Sequence, residues 1–163
     1  MRISAKVDYA LRACTELAAS GDGPTKGERL AEAQGIPLKF LERILSELRN
    51  AGIVGTQRGA DGGYWLARPP GEIALADVMR AVDGPLASVR GQRPETLRYS
   101  GSAACFPELW IAVRASLRTV LEQTTIADLA AARLPDHVRA LAAPPEAWTS
   151  RKRSHASDSE LVP

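Results

Sequence analysis

Side chains able to read nucleic acid recur over a short stretch of this chain. Lys39, Arg43, Ser46 and Asn50 fall within a narrow arc of the segment Leu38 to Asn50, flanked by Glu42 and Arg49. Soon afterwards the chain reads Arg58-Gly-Ala-Asp-Gly-Gly-Tyr64. Arginine and lysine donate to guanine O6 and N7, and glutamate accepts from cytosine N4. The glycines beside Arg58 tolerate positive φ and let backbone approach a partner closely. Other chemistries are poorly supplied. The two cysteines, Cys14 and Cys105, lie far apart and outside any Cys-x-x-Cys pair, so neither a structural zinc site nor a disulfide framework is expected. No nucleophile and base arrangement, phosphate loop or metal-ligand spacing points to an enzyme.

The elements that must carry these side chains follow from periodicity. From about Ile3 to Ala19, the residues Val7, Ala10, Leu11, Cys14, Leu17 and Ala18 trace one apolar helical face, which makes Cys14 a core thiol. Thr25 followed by Glu28 reads as a capping box for a short helix through Gln34. Gly35 supplies its left-handed end, Ile36 an apolar staple, and Pro37 suits the first turn of the next helix. In Leu38 to Asn50, Leu41, Ile44, Leu45 and Leu48 form the inward stripe opposite the polar arc. Gly52 closes that helix, and Ile53 to Arg58 and Gly63 to Arg68 read as strands of a hairpin turning at Gly59 to Gly62. A solvated helix face and an ordinary hairpin are the bland readings of each element alone. Their order, helix-turn-helix followed by a glycine-rich hairpin with Arg58 at its tip, is that of a winged helix-turn-helix.

Beyond Pro69-Pro70-Gly71 a helix from about Ala74 to Val82 buries Leu75, Val78, Met79 and Val82. A loop rich in glycine, proline and serine runs to about Ala103. Phe106, Trp110, Val113, Leu117 and Val120 then alternate 4-3-4-3, the pattern of a two-helix seam, over a helix about 28 Å long between Ala104 and Glu122. Thr125 and Asp128 cap one further turn. From Arg133 the chain is polar and mixed in charge, and is expected to be a disordered tail in which Arg151 to Arg153 could touch phosphates. The expected fold is mainly α with a small β-hairpin wing. Its parts are a winged helix-turn-helix domain over 1–83, an effector-region loop over 84–103, a dimerisation helix region over 104–132 and a tail over 133–163.

Composition sets limits. With 163 residues, 45% of them hydrophobic, the chain can bury one sizeable core. No apolar run is long enough to span a bilayer, and the N-terminus lacks a signal peptide's apolar stretch, so a cytoplasmic location and no membrane partner are expected. A net charge of +2 does not by itself argue for nucleic acid, so the case rests on placement.

On these residues the chain resembles the bacterial winged-helix regulators typified by the iron-sulfur cluster regulator and the nitric-oxide-sensitive repressor (IscR/NsrR). The likeness is carried by the opening Met1-Arg-Ile-Ser-Ala-Lys-Val-Asp-Tyr-Ala10, by Gly35-Ile36-Pro37 with Phe40-Leu41-Glu42, by the wing Arg58 to Tyr64 and by Leu109-Trp110, across about Met1 to Ala130. It implies a homodimer that binds double-stranded DNA at a pseudo-palindromic operator and acts as a transcriptional repressor. By matching position, Glu42 with Arg43 or Lys39 beside it would face bases, and Arg58 with Gly59 would enter the minor groove. The candidate DNA-binding set is Lys39, Glu42, Arg43, Ser46, Arg58, Gly59 and Tyr64.

The resemblance also implies an effector region, and there the sequence departs from it. Cluster-binding members carry three cysteines before the dimer helix, whereas this loop offers Cys105. Asp8 matches a carboxylate ligand of the nitric-oxide sensor, but one thiolate and one carboxylate suit an iron-sulfur cluster poorly. No metal and no cofactor are therefore expected, with an atypical [2Fe-2S] sensor as the alternative. Thiol oxidation at Cys105, or a small-molecule effector held near Trp110 and Phe106, could supply the signal, and a purely structural Cys105 stands beside both. A winged-helix protein-interaction module that never touches DNA is the competing function.

Overall fold

The computed structural model describes residues 3–21 and 23–149. Its first helix, α1 (Ala5–Ala19), begins at Ser4, whose Oγ accepts the Val7 N–H at 3.1 Å and donates to the Asp83 carboxylate at 2.6 Å. One cap thus satisfies an orphan N–H and ties the two ends of the domain together. Val7, Ala10, Ala13, Cys14 and Leu17 are buried along α1, which packs against α2 (Gly27–Gln34), α3 (Leu38–Asn50), α4 (Leu75–Asp83) and α6 (Ile126–Ala130). At Gly35, φ is 60°. The Gly35 N–H donates to the Glu32 carbonyl at 3.2 Å and the Ile36 N–H to the Ala31 carbonyl at 2.9 Å, which stops α2 and swings the chain into α3. Leu41, Ile44, Leu45 and Leu48 have no accessible surface. Burying each stabilises the fold by about 1.5–3 kcal/mol and locks the rotation of α3 about its axis.

The expected capping box at Thr25 does not form. The N-cap of α2 is Lys26, without a side-chain cap, and Thr25 is drawn instead beside the hairpin. There its N–H donates to the Tyr64 carbonyl and its carbonyl accepts the Tyr64 N–H, both at 2.8 Å. A two-bond pairing on a β-branched residue outweighs one side-chain cap. The hairpin consists of β1 (Val54–Gln57) and β2 (Gly63–Leu66), antiparallel, with Val54 opposite Leu66 and Gln57 opposite Gly63. Against the expected spans, β1 is one residue shorter at each end and β2 two residues shorter at its outer end. At Gly63 a Cβ would lie 2.6 Å from the Thr25 carbonyl oxygen, so the third strand-like segment requires glycine at that point.

The chain after α4 is more ordered than its composition suggests. Turns at Pro94–Thr96 and Gly101–Ala103 bury Pro94 and Leu97, and the first of them packs against α5 (Phe106–Leu121). The capping box of α6 forms as expected, with the Asp128 N–H to Thr125 Oγ1 at 3.2 Å and the Thr125 N–H to Asp128 Oδ2 at 2.8 Å. Hydrogen bonds from Thr125 hold the Asp128 carboxyl below its usual range. The start of the expected disordered tail is helical. In α7 (Asp136–Ala142), the His137 ring Nε2 lies 3.1 Å from the Thr119 carbonyl, and the Trp148 Nε1–H donates to the Ala142 carbonyl at 2.6 Å. The His137 contact ties this polar segment to α5, while the Trp148 bond is local to it. Arg151 to Arg153 and the rest of the expected tail lie outside the described residues.

Cys14 is the core thiol expected of its place in the stripe. It has no accessible surface, and burial pushes its pKa up to about 12 from an ordinary value of 9.0. Because the folded value is raised, this contribution to stability is intact below pH 9 and is lost as pH climbs towards 12, to a limit on the order of 4 kcal/mol. The stability advantage of the wild type over Cys14→Ala is therefore expected to shrink in alkaline urea titrations. In the native protein at pH 8, a thiol reagent should modify the exposed Cys105 and leave Cys14 untouched until unfolding.

Candidate nucleic-acid interface

The inward stripe of α3 leaves its other side free. Lys39, Glu42, Arg43 and Ser46 are all exposed, as are Arg49 and Asn50. Glu47, one step away, is half-buried and ion-paired to Lys6 at 2.7 Å, and Lys6 also donates to the Val82 carbonyl at 2.6 Å. This pair bolts α3 to the domain. Lys39, Glu42, Arg43 and Arg58 enter no ion pair among the described residues, so their charges are available to a ligand.

The wing is set against the start of α3 by a small residue. A Cβ on Gly27 would lie 3.4 Å from Tyr64 Cε2 and 3.7 Å from Leu38 Cδ1, which marks Gly27 as the junction of α2, β2 and the first residue of α3. Tyr64 is accordingly half-buried and packed on the core, where it positions the wing. Arg58 and Gly59 stand exposed at the tip, and the Gly62 N–H closes the turn on the Gly59 carbonyl at 3.1 Å. Lys26 braces this turn. Its Nζ donates to the Gly59 carbonyl at 3.1 Å and to the Ala60 carbonyl, fixing the backbone that presents Arg58. Sequence reading missed Thr25, Lys26 and Gly27 as wing supports. The one local signal was a β-branched residue where a strand could start, and it competes with the capping pattern.

The candidate effector residues are dispersed. Asp8 is exposed on α1 and ion-paired to Arg12 at 3.3 Å, while Arg12 is held by the Gln34 side chain and carbonyl. Cys105 is exposed at the N-cap of α5. Next to it, Phe106 meets Tyr99 edge-on at 5.4 Å and stacks with Trp110 at 6.1 Å. The Trp110 Nε1 is out of solvent and has no hydrogen-bond partner among the described residues. Of the 4-3-4-3 set expected on α5, Phe106 and Val113 are exposed. Trp110 is half-buried, whereas Leu109, outside the 4-3-4-3 set, is 47% exposed.

A helix-turn-helix turning at Gly35, an outward polar face on its second helix and an arginine-tipped wing define a winged helix-turn-helix DNA-binding protein. Residues 3–132 match the Rrf2 family, described as an iron-dependent transcriptional regulator. The chain belongs to this family, and it is a transcriptional regulator rather than an enzyme. Rv1287 of Mycobacterium tuberculosis, classed as an HTH-type transcriptional regulator, is 52% identical over 143 residues, covering 87% of this chain and 89% of the relative. The structure of CymR, the global cysteine regulator of B. subtilis, superposes with a TM-score of 0.68 at 39% identity, covering 80% of this chain and 97% of that one. IscR from T. potens gives 0.63 at 34% identity, over 79% and 85%.

The family's iron raises a question of fit. Among the described residues, no three histidine, cysteine or acidic side chains gather where they could hold a metal ion. Cys14 is sealed in the core as a neutral thiol, and Asp8 is engaged by Arg12. Cys105 is then the accessible sulfur donor among the described residues, and the residues present do not fit an iron-sulfur cluster held by several thiolates. No helix among the described residues is long and apolar enough to cross a membrane.

Proposed function

We propose that the protein is a homodimeric repressor that occludes a promoter by binding a pseudo-palindromic operator. The observation that carries this reading is the unpaired, exposed face of Lys39, Glu42, Arg43 and Ser46 beside a braced wing bearing Arg58. Two such faces, related by a two-fold axis, suit half-sites one helical turn apart, roughly 34 Å. The second copy is supported by α5, none of whose 16 residues is buried although Phe106, Leu109 and Val113 form an apolar stripe along it.

Arg58 reads the minor groove in this arrangement. Arg58→Ala should weaken operator binding by about 1–3 kcal/mol in a footprinting titration, and an unchanged titration removes the wing from DNA recognition. Affinity should also fall steeply with added salt as phosphate contacts release counterions.

The regulator works without an iron-sulfur cluster in this reading, because its accessible donors are too few. An atypical cluster sensor is the second reading, favoured by the family's iron dependence. Anaerobically purified protein separates the two: a colourless dimer supports the first, and visible iron-sulfur absorption overturns it.

A further inference from the structure

A groove of about 530 Å³ lies between α4, the segment that follows it and α5, and four arginines line it. Arg80 comes from α4, Arg93 from the connecting segment, and Arg114 and Arg118 from successive turns of α5. Arg114 and Arg118 are each five residues on from Leu109 and Val113, about 140° around the helix, so the groove is not the apolar stripe offered to a second copy. Two glutamates and one shared aspartate answer the four guanidiniums. Glu95 binds Arg114 at 2.6 Å, while Glu122 receives Arg118 Nε at 2.9 and 3.0 Å and also pairs with Arg80. Asp77, 3.8 Å from Arg80, is shared with Arg68 at 3.5 Å.

The pairing favours the charged form of both glutamates. Hydrogen bonds from Arg80 and then Arg118 hold the Glu122 carboxyl below its usual range, and those from its own backbone and then Arg114 do the same for Glu95. Arg93 makes no ion pair within 4.0 Å among the described residues. The groove therefore keeps a positive excess that its own acids do not neutralise. Convergence of like charges from three separate segments costs energy unless an anion offsets it, and the guanidinium fork matches carboxylate and phosphate oxygens.

We propose that this groove is an effector site for a small dianion, a dicarboxylate or a phosphate ester, bound by Arg80, Arg93, Arg114 and Arg118. Bridging α4 of the DNA-binding domain to α5, the ligand sets the angle between the recognition helices of the two subunits and so changes operator affinity. This consequence rests on the homodimeric repressor reading, while the binding itself does not.

The test is thermal melting and calorimetric titration of the full chain with succinate and with inorganic phosphate, against acetate at matched ionic strength. A saturable rise in Tm with a dianion and none with acetate is expected; response to succinate alone assigns dicarboxylates, and to phosphate alone assigns phosphate esters. Arg93→Glu should abolish the response, and Glu95→Gln, which removes a competing charge, should tighten binding by about 3- to 10-fold. No saturable binding of either dianion, or an undiminished response in Arg93→Glu, overturns the site. The DNA consequence is read on an operator selected from a random duplex library, where the dianion should shift affinity at least 3-fold in the wild type and not in Arg93→Glu. Loss of DNA affinity in Arg93→Glu without any dianion reassigns the arginines to phosphate contact and also overturns it. Dianion binding without any DNA binding leaves the site standing and removes the repressor reading.

Discussion

Leu45→Ala should lower the unfolding free energy by about 2–5 kcal/mol, read as a fall in the urea midpoint at unchanged slope. Leu45 has no accessible surface and belongs to the same core cluster as Leu41, Ile44 and Leu48. Because α3 packs against both α1 and α4, truncation leaves a cavity inside a core built from several elements. The neighbouring Arg43→Ala should change stability by no more than about 0.5 kcal/mol, since Arg43 is exposed and unpaired, yet it should weaken operator binding. Stability and DNA affinity thus separate on adjacent faces of one helix. If Arg43→Ala proved as destabilising as Leu45→Ala, the assigned rotation of α3 would be wrong.

The second large effect lies on α5. Leu109→Asp combined with Val113→Asp should convert the proposed dimer to a monomer in light scattering and cut operator affinity by about 10²- to 10⁴-fold. The two residues are 47% and 40% exposed and one turn apart, so charges there cost the isolated subunit little but are buried unpaired across a two-helix seam. Tethering supplies the second half-site at high effective concentration, and a monomer forfeits that gain. A variant that retains its native circular dichroism and remains dimeric would place the subunit contact elsewhere.

Much of the reader and its scaffold was legible in the order of residues. Leu41, Ile44, Leu45 and Leu48 recur at the helical period, and the bounds of α3 follow from Pro37 before it and Gly52 after it. Gly35 in the left-handed region and the Thr125–Asp128 cap are likewise local chemistry, satisfied within a few residues. The same holds for Cys14, whose position in the stripe already placed it in the core. The arginine-lined groove was not legible, because Arg80, Arg93, Arg114 and Arg118 belong to segments that meet only after folding.

The sequence by itself determined which faces of α1, α3 and α4 are apolar, where the turns that bound α2 and α3 fall and that Arg58 heads a glycine-rich hairpin. These depend on backbone propensity and on spacing within one element. Tertiary structure alone decided that Thr25 joins the wing rather than capping α2, that Lys26 braces the tip, and that Tyr64 packs inward. It also decided that Trp110 is half-buried with its Nε1 out of solvent, that 136–142 is helical, and that arginines from three segments share one groove. Each of these is a contest between a local preference and a partner distant in sequence, and the outcome is set by which hydrogen bonds and charges the packed core brings within reach.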